Sequence, residues 1–330
     1  MSRIFLTGDC HASYTKLSSK SFPESRALTK DDYVFICGDF GYWEESKRQD
    51  YWMDWLEGRP FTTLWVDGNH ENYDLLKKLP VEQWNGGKVH FIRPSVIHLM
   101  RGQIYEIDGK RFFTFGGARS HDISGGILEK DDPDLQDKIW NLEDLGQPFR
   151  INHMTWWKEE LPDDKEMQTG IAALEKAGWE TDYIITHCCA TSLQDENPES
   201  AYESDCLTDY LSTIRKKCVY RHWFFGHYHE DRDWSDKETC LYRSIVELTT
   251  ESYVAQGLSA RFAYHDHVEY FIEGFHGKEK RTGTIIHIDR SGGGFYTGEQ
   301  PTANIYSDDG HLHKDVPFED IRKIETEHGE

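Results

Sequence analysis

The stretch Ile4-Phe5-Leu6-Thr7-Gly8-Asp9-Cys10-His11 decides how this chain is read. An apolar run reaches a glycine and then presents an acid and an imidazole two residues apart. Along extended backbone, alternate side chains point the same way, so Asp9 and His11 can face one point. A carboxylate and an imidazole converging past a strand end make half of a metal site. Asp-x-His is common by chance, so the reading depends on whether further ligands follow later strands.

They do follow. Apolar segments at residues 33–37 and 63–66 lead into Gly38-Asp39 and into Gly68-Asn69-His70-Glu71. The spacing from Asp9 to Asp39 to Asn69 is about 30 residues per step, as expected for strand, crossover and parallel strand. A helix-compatible pattern at 51–56 lies between two of them. In open α/β sheets, functional groups gather beyond the carboxyl ends of such strands. Further on, a strand at Tyr183–Thr186 closes on His187. Another, His222–Phe225, runs into Gly226-His227-Tyr228-His229, which repeats the two-residue spacing of the first pair.

With these residues in order, the chain resembles the calcineurin-like metallophosphoesterase superfamily over about residues 3–248. The pattern D-x-H, GD, GNH[ED], a lone H and GHxH is complete. The resemblance implies an α/β fold, a double β-sandwich flanked by helices, with a two-metal site at the strand ends. It implies that Asp9, His11 and His229 hold one ion, that Asn69, His187 and His227 hold the other, and that Asp39 bridges them. His70 would be the catalytic histidine beside the leaving group. The implied reaction is hydrolysis of a phosphodiester or phosphomonoester by in-line attack of a hydroxide shared between the ions.

Imidazole, carboxylate and amide oxygen without thiolate suit two divalent ions such as Mn, Fe, Zn or Ni, with Mn favoured. Other members of the superfamily act as nucleases or protein phosphatases. The phosphatase branch follows its second block with an Asp-Arg-Gly segment, where this chain has GDFGYWEE. The ending GHYH resembles the phosphodiesterase branch. A reading of another class is a metal-dependent scaffold acting through the C-terminal segment, but the intact His70 and full ligand set argue against it. Arg119 and His121, in GGARSHD, are candidates for substrate contact together with Asn69, and Arg101 is a weaker one. Tyr42, Trp43, Glu44 and Glu45 are expected to pack onto the next helix, with a pocket wall as the alternative. Side-chain alternation turns Cys10 and Cys188 away from the site, and Cys189 reads as structural.

The net charge is −22, from 37 basic and 59 acidic residues. That disfavours long nucleic acid as a charge-driven partner and leaves a small phosphoester, a nucleotide-derived one among the candidates, as the expected substrate. The seven cysteines are scattered and expected to be free thiols. The first residues carry no signal-like apolar segment, and no apolar run reaches the ~20 residues that span a bilayer. No membrane association and a cytoplasmic location are expected.

The rest of the chain predicts β-like runs at 89–93 and 96–100 and a hairpin around Asp108-Gly109. Loop with some helix is expected over 117–150. Helices are expected at 163–177, closed by Gly178, and at 205–217, followed by a strong strand at 241–248. Residues 1–250 are expected to form the metallophosphoesterase domain. Residues 251–330 would be a small β-rich extension through which the protein could oligomerise. A β-like run at 284–288, a glycine run at 292–294 and the pairs His265/His267 and His311/His313 fall in that part. The histidine pairs and the short basic run Lys278, Lys280 and Arg281 read as solvated surface.

Overall fold

The computed structural model describes residues 2–197, 202–248, 253–255, 267–274, 277–289 and 302–323. Two sheets face each other. The first has eight strands, with Ile4–Thr7, Tyr33–Ile36, Thr62–Trp65 and Val96–Leu99 running parallel at its centre. The second has six, with Lys110–Phe115, Tyr183–Thr186, His222–Phe225 and Glu238–Cys240 parallel.

Period-two alternation explains why both faces of each sheet are apolar. Leu6, Phe35 and Leu64 point inward and meet Phe112, Ile185 and Phe224 from the opposite sheet. The Phe35 and Phe112 rings stack at 5.0 Å across the interface. Their neighbours Phe5, Val34, Ile36 and Trp65 point outward, beneath Met53 and Leu56 of the helix Lys47–Glu57. On the far side, Ile184, Trp223 and Phe225 lie under Leu174, Leu207 and Ile214 of the helices Asp164–Lys176 and Cys206–Lys217. The result is the layered α/β sandwich expected from the sequence.

Local signals place the boundaries. Asp163 caps its helix through the Glu166 amide, with Glu166 returning the bond, and Gly178 takes φ +70° just past the end. Asp205 caps the next helix in the same manner. In the hairpin Gln103–Ile107/Lys110–Phe115, Asp108 and Gly109 both take positive φ, as a type I′ turn requires.

The strand expected at 241–248 is instead broken: residues 241–244 leave extended pairing, and only Ile245–Leu248 is a strand, antiparallel to Ile4–Thr7, while Glu238–Cys240 just before belongs to the six-stranded sheet. The Asp231 carboxylate causes the break. It accepts hydrogen bonds from the amides of Tyr242, Arg243 and Ser244, which are therefore lost to a ladder. The loop-like region 117–150 contains a short parallel pair, Ile127–Glu129 with Arg150–Asn152, and the helix Leu135–Asp144.

Towards the C-terminus, Tyr253–Ala255 adds an edge strand to the eight-stranded sheet. A separate five-stranded antiparallel sheet is built from His267–Gly274, Gly277–Asp289, Thr302–Ser307, Leu312–Pro317 and Ile321–Lys323. It closes over its own core of Val268, Tyr270, Ile285, Ile305 and Ile321. Lys278, Lys280 and Arg281 each pair with an acid there, Asp320, Glu269 and Asp309. His265 and the glycine run 292–294 lie outside the described residues. Among the described residues no helix is long and apolar enough to cross a membrane.

Arg101 does not reach towards substrate. Its guanidinium is buried, bonding Asp67 (Nε to Oδ2, 2.7 Å) and the Tyr73 hydroxyl (2.8 Å). Burial opposes the Asp67 charge, but Arg101 and His98 prevail and hold the carboxyl well below its usual range. A depressed folded-state value means that this stabilisation is complete above the unfolded pKa, about 3.9, and is lost as the pH falls below it. Arg101→Met strands a buried carboxylate and should lower stability by about 3–5 kcal/mol in urea unfolding at neutral pH. Arg93→Met, which breaks pairs with the exposed Asp50 and Asp54, should cost under about 1 kcal/mol.

Candidate metal centre

Every ligand-type residue of the motif stands just past the carboxyl end of a parallel strand, on the same rim of the two facing sheets. The turns that present them are tight. His11, Asp39, His227 and His229 all have positive φ, 46°, 43°, 71° and 54°, a left-handed geometry disfavoured for residues with a side chain. Strain of this kind, of order 1 kcal/mol or more per residue, concentrates at functional sites. Two glycines allow the turns to close. A Cβ on Gly68 would sit 2.1 Å from Asp39 Oδ1, and one on Gly226 would sit 2.2 Å from Asp9 Oδ1.

Asp9, His11, Asp39 and His229 offer ligand atoms that all lie within 4.8 Å of one another. The Nε2 atoms of His11 and His229 approach to 3.0 Å, and His229 Nε2 is 3.1 Å from Asp9 Oδ2. That carboxylate oxygen is buried and has no other polar partner that bonds it. A buried anionic oxygen without another donor, facing two imidazole nitrogens, fits a cation.

Beside this group, His187 Nε2 lies 3.2 Å from both Asp39 Oδ1 and Asn69 Oδ1. Its Nδ1 donates to the Cys37 carbonyl at 2.8 Å, which orients the ring with Nε2 as the nitrogen a metal would take. The His227 ring meets His187 edge-on at 5.0 Å. Asp39 stands between the two groups, Oδ1 towards His187 and Oδ2 3.7 Å from His11 Nδ1. The structure thus brings together all seven residues that the motif marks as ligands.

Electrostatics follow from this crowding. Burial opposes the Asp39 charge, yet His187, His70 and His11 around it hold its carboxyl far below the normal range. Burial also opposes the charge on Asp9, but His229 and His187 favour it and hold the carboxyl below its ordinary value. The same carboxylates outweigh burial at His187 and push it up to about 9. Burial and the neighbouring His187 push His227 down to about 3.

His70 donates its backbone amide to Asp39 Oδ1 at 2.8 Å, and its ring packs against His11 (4.9 Å) and Trp43 (5.7 Å). Arg119 and His121 line a recess of ≈430 Å³ that opens beside His227. Arg119 is 3.6 Å from Glu203, and the His121 ring is 5.7 Å from that of His227. Cys10 and Cys189 are buried in the outer cores, as expected, whereas buried Cys188 also touches the recess.

Several residues outside the ligand set hold the candidate ligands, Glu71 from within the third motif block and others with no motif signal. Glu71 is fully buried and accepts the amides of Gly41 and Tyr42, pinning the turn after Asp39. Lys16 donates to the carbonyls of Gly8 and Asp9 and to that of Tyr242, each at 2.8 Å. Ser120 reaches Asn69 Nδ2 at 3.5 Å, the long limit of a hydrogen bond. Ser120 is in turn clamped by Glu160 through its hydroxyl (2.6 Å) and its amide (2.9 Å). Burial pushes the Glu160 carboxyl up to about 7.

The family model of calcineurin-like phosphoesterases matches residues 2–231. The chain belongs to that family. It is also similar to lariat debranching enzyme A from Xenopus laevis, 23% identical over 145 residues. That similarity covers 39% of this chain and 26% of the relative, so the match spans about a quarter of the relative's length. A solved protein of unknown function from Aquifex aeolicus is 17% identical, covering 48% of this chain and 82% of its own, with a TM-score of 0.21. As a calcineurin-like phosphoesterase the chain is a hydrolase by family, with a candidate metal centre at Asp9, His11, Asp39 and His229.

If Ser120 orients the Asn69 amide, Ser120→Ala should weaken metal binding by about 10–100-fold while the fold is retained. Competition with a chelating dye reads this. An unchanged affinity would show that Asn69 is positioned without it.

Proposed function

We propose that the protein is a dinuclear, metal-dependent phosphoesterase acting on a small phosphoester, with a diester favoured. One observation carries this reading: the Asp39 carboxylate turns one oxygen to His187, which itself lies 3.2 Å from Asn69 Oδ1, and the other to His11. Asp9, His11 and His229 would hold one ion and Asn69, His187 and His227 the other, with Asp39 shared and Mn the favoured metal. The ions supply Lewis acidity when bound, neutralising phosphoryl charge and acidifying water.

The chain's own residues do the remainder. Strained turns and buried second-layer bonds hold the ligands in place before substrate arrives, which limits reorganisation during the reaction. His70, packed on His11 and Trp43 at the rim, is placed to give a proton to the departing oxygen. Arg119 and His121 would meet the substrate from the recess side. The GHYH ending, which resembles the phosphodiesterase branch, supports a diester, and the acidic chain argues against long nucleic acid.

Metal-stripped protein should be inactive on bis-p-nitrophenyl phosphate and recover with added Mn. His70→Ala should lose about 10²–10⁴-fold on an alkyl ester, whose leaving group needs a proton, and far less on a p-nitrophenyl ester. Equal losses on both esters would remove His70 from the proton-donor role. Turnover by the metal-stripped protein would overturn the proposal.

A further inference from the structure

The recess beside His227 is larger than a phosphoryl group requires. At ≈430 Å³ it falls in the range of small-molecule pockets. Apart from His227 it is built by residues outside the ligand set, among them Arg119, His121, Gln194, Tyr202 and Tyr228. Tyr228 forms a fixed, buried wall, its hydroxyl held by Gln194 Nε2 at 2.7 Å. The Tyr202 ring stands almost perpendicular to it, at 4.8 Å and 85°. Tyr202 also reaches His121 at 5.8 Å and His227 at 5.9 Å. It is 36% exposed, so part of its ring remains open to a ligand.

The charge of the recess narrows what it can take. Arg119 is the cation of its lining, and Glu203 lies 3.6 Å away on the same rim. A second phosphate entering there would meet that carboxylate, so the lining suits an uncharged group with flat faces and polar edges. Aromatic rings receive such groups by stacking, and amide and hydroxyl groups meet their edges. The recess opens at His227, whereas His70 packs on His11 and Trp43. The two substituents of a phosphodiester therefore have different surroundings.

We infer that the recess holds the substituent that stays on phosphorus, and that this substituent is a nucleoside. This rests on the dinuclear phosphoesterase reading and specifies its substrate as a nucleoside phosphodiester. Water adds to phosphorus, the bond to the other alcohol breaks, and that alcohol leaves with a proton from His70. The products are a nucleoside monophosphate and the free alcohol; one proton of the water restores His70 and the other passes to solvent.

Three esters that share one leaving group test this: thymidine 5′-(p-nitrophenyl phosphate), methyl p-nitrophenyl phosphate and p-nitrophenyl phosphate, each with Mn. The nucleoside ester should exceed the methyl ester at least about tenfold in kcat/KM. Tyr202→Ala and His121→Ala both alter exposed side chains and should fold, as their melting temperatures will show. Each should shrink that ratio several-fold. Equal kcat/KM for the two diesters, a preference for the monoester, or an unchanged ratio in both variants overturns the recess assignment alone. Failure to hydrolyse any of the three overturns the phosphoesterase reading beneath it.

Discussion

The structure depends on one buried charge. Asp39 is 1% exposed, at the rim of two sheets whose facing strands pack an apolar core. A carboxylate taken out of water without compensation is strongly disfavoured. Here the His70 amide, His187 and His11 surround it, and the strand ends of both sheets must stay in register for them to do so. The same need explains why Gly68 faces Asp39 and Gly226 faces Asp9. Any side chain at either place would occupy the space of a carboxylate oxygen.

A second layer of buried charge holds the loops that carry the ligands. Glu71 pins the turn after Asp39, Asp231 pins the crossing between the sheets, and the Arg101–Asp67 pair sits behind Asn69. Glu160 acts at one further remove, through Ser120. Each of these groups is fully occupied with backbone amides or a partner side chain. They fix geometry, and the chemistry falls to the residues in front of them. The strained backbone at His11, Asp39, His227 and His229 survives because this layer over-determines it.

The candidate ligands are legible in the sequence because each follows an apolar strand and parallel pairing brings those strand ends to one rim. His187, the most isolated of them along the chain, is placed by the same rule. What lay hidden depends on contacts between distant segments. Nothing local tells that Ser120 faces Asn69, that Glu160 clamps Ser120, or that Tyr202 and Tyr228 wall a recess. Arg101 follows a strand, as a phosphate-binding arginine would, yet Asp67, 34 residues earlier, draws it into the interior. The break within 241–248 was invisible for a similar reason, because the acid that causes it lies on another segment. The helix caps and the type I′ turn were legible, since their physics is contained within a few residues.

The most direct measurement is the metal content of the protein and of Asp39→Asn after saturation with Mn and removal of free ions. With the carboxylate shared between both groups of ligands, the native chain should retain two ions. The variant should lose at least one of them while keeping its fold. A native chain that saturates with a single ion, or a variant that keeps two with undiminished affinity, would contradict a bridging Asp39 and the dinuclear centre built around it.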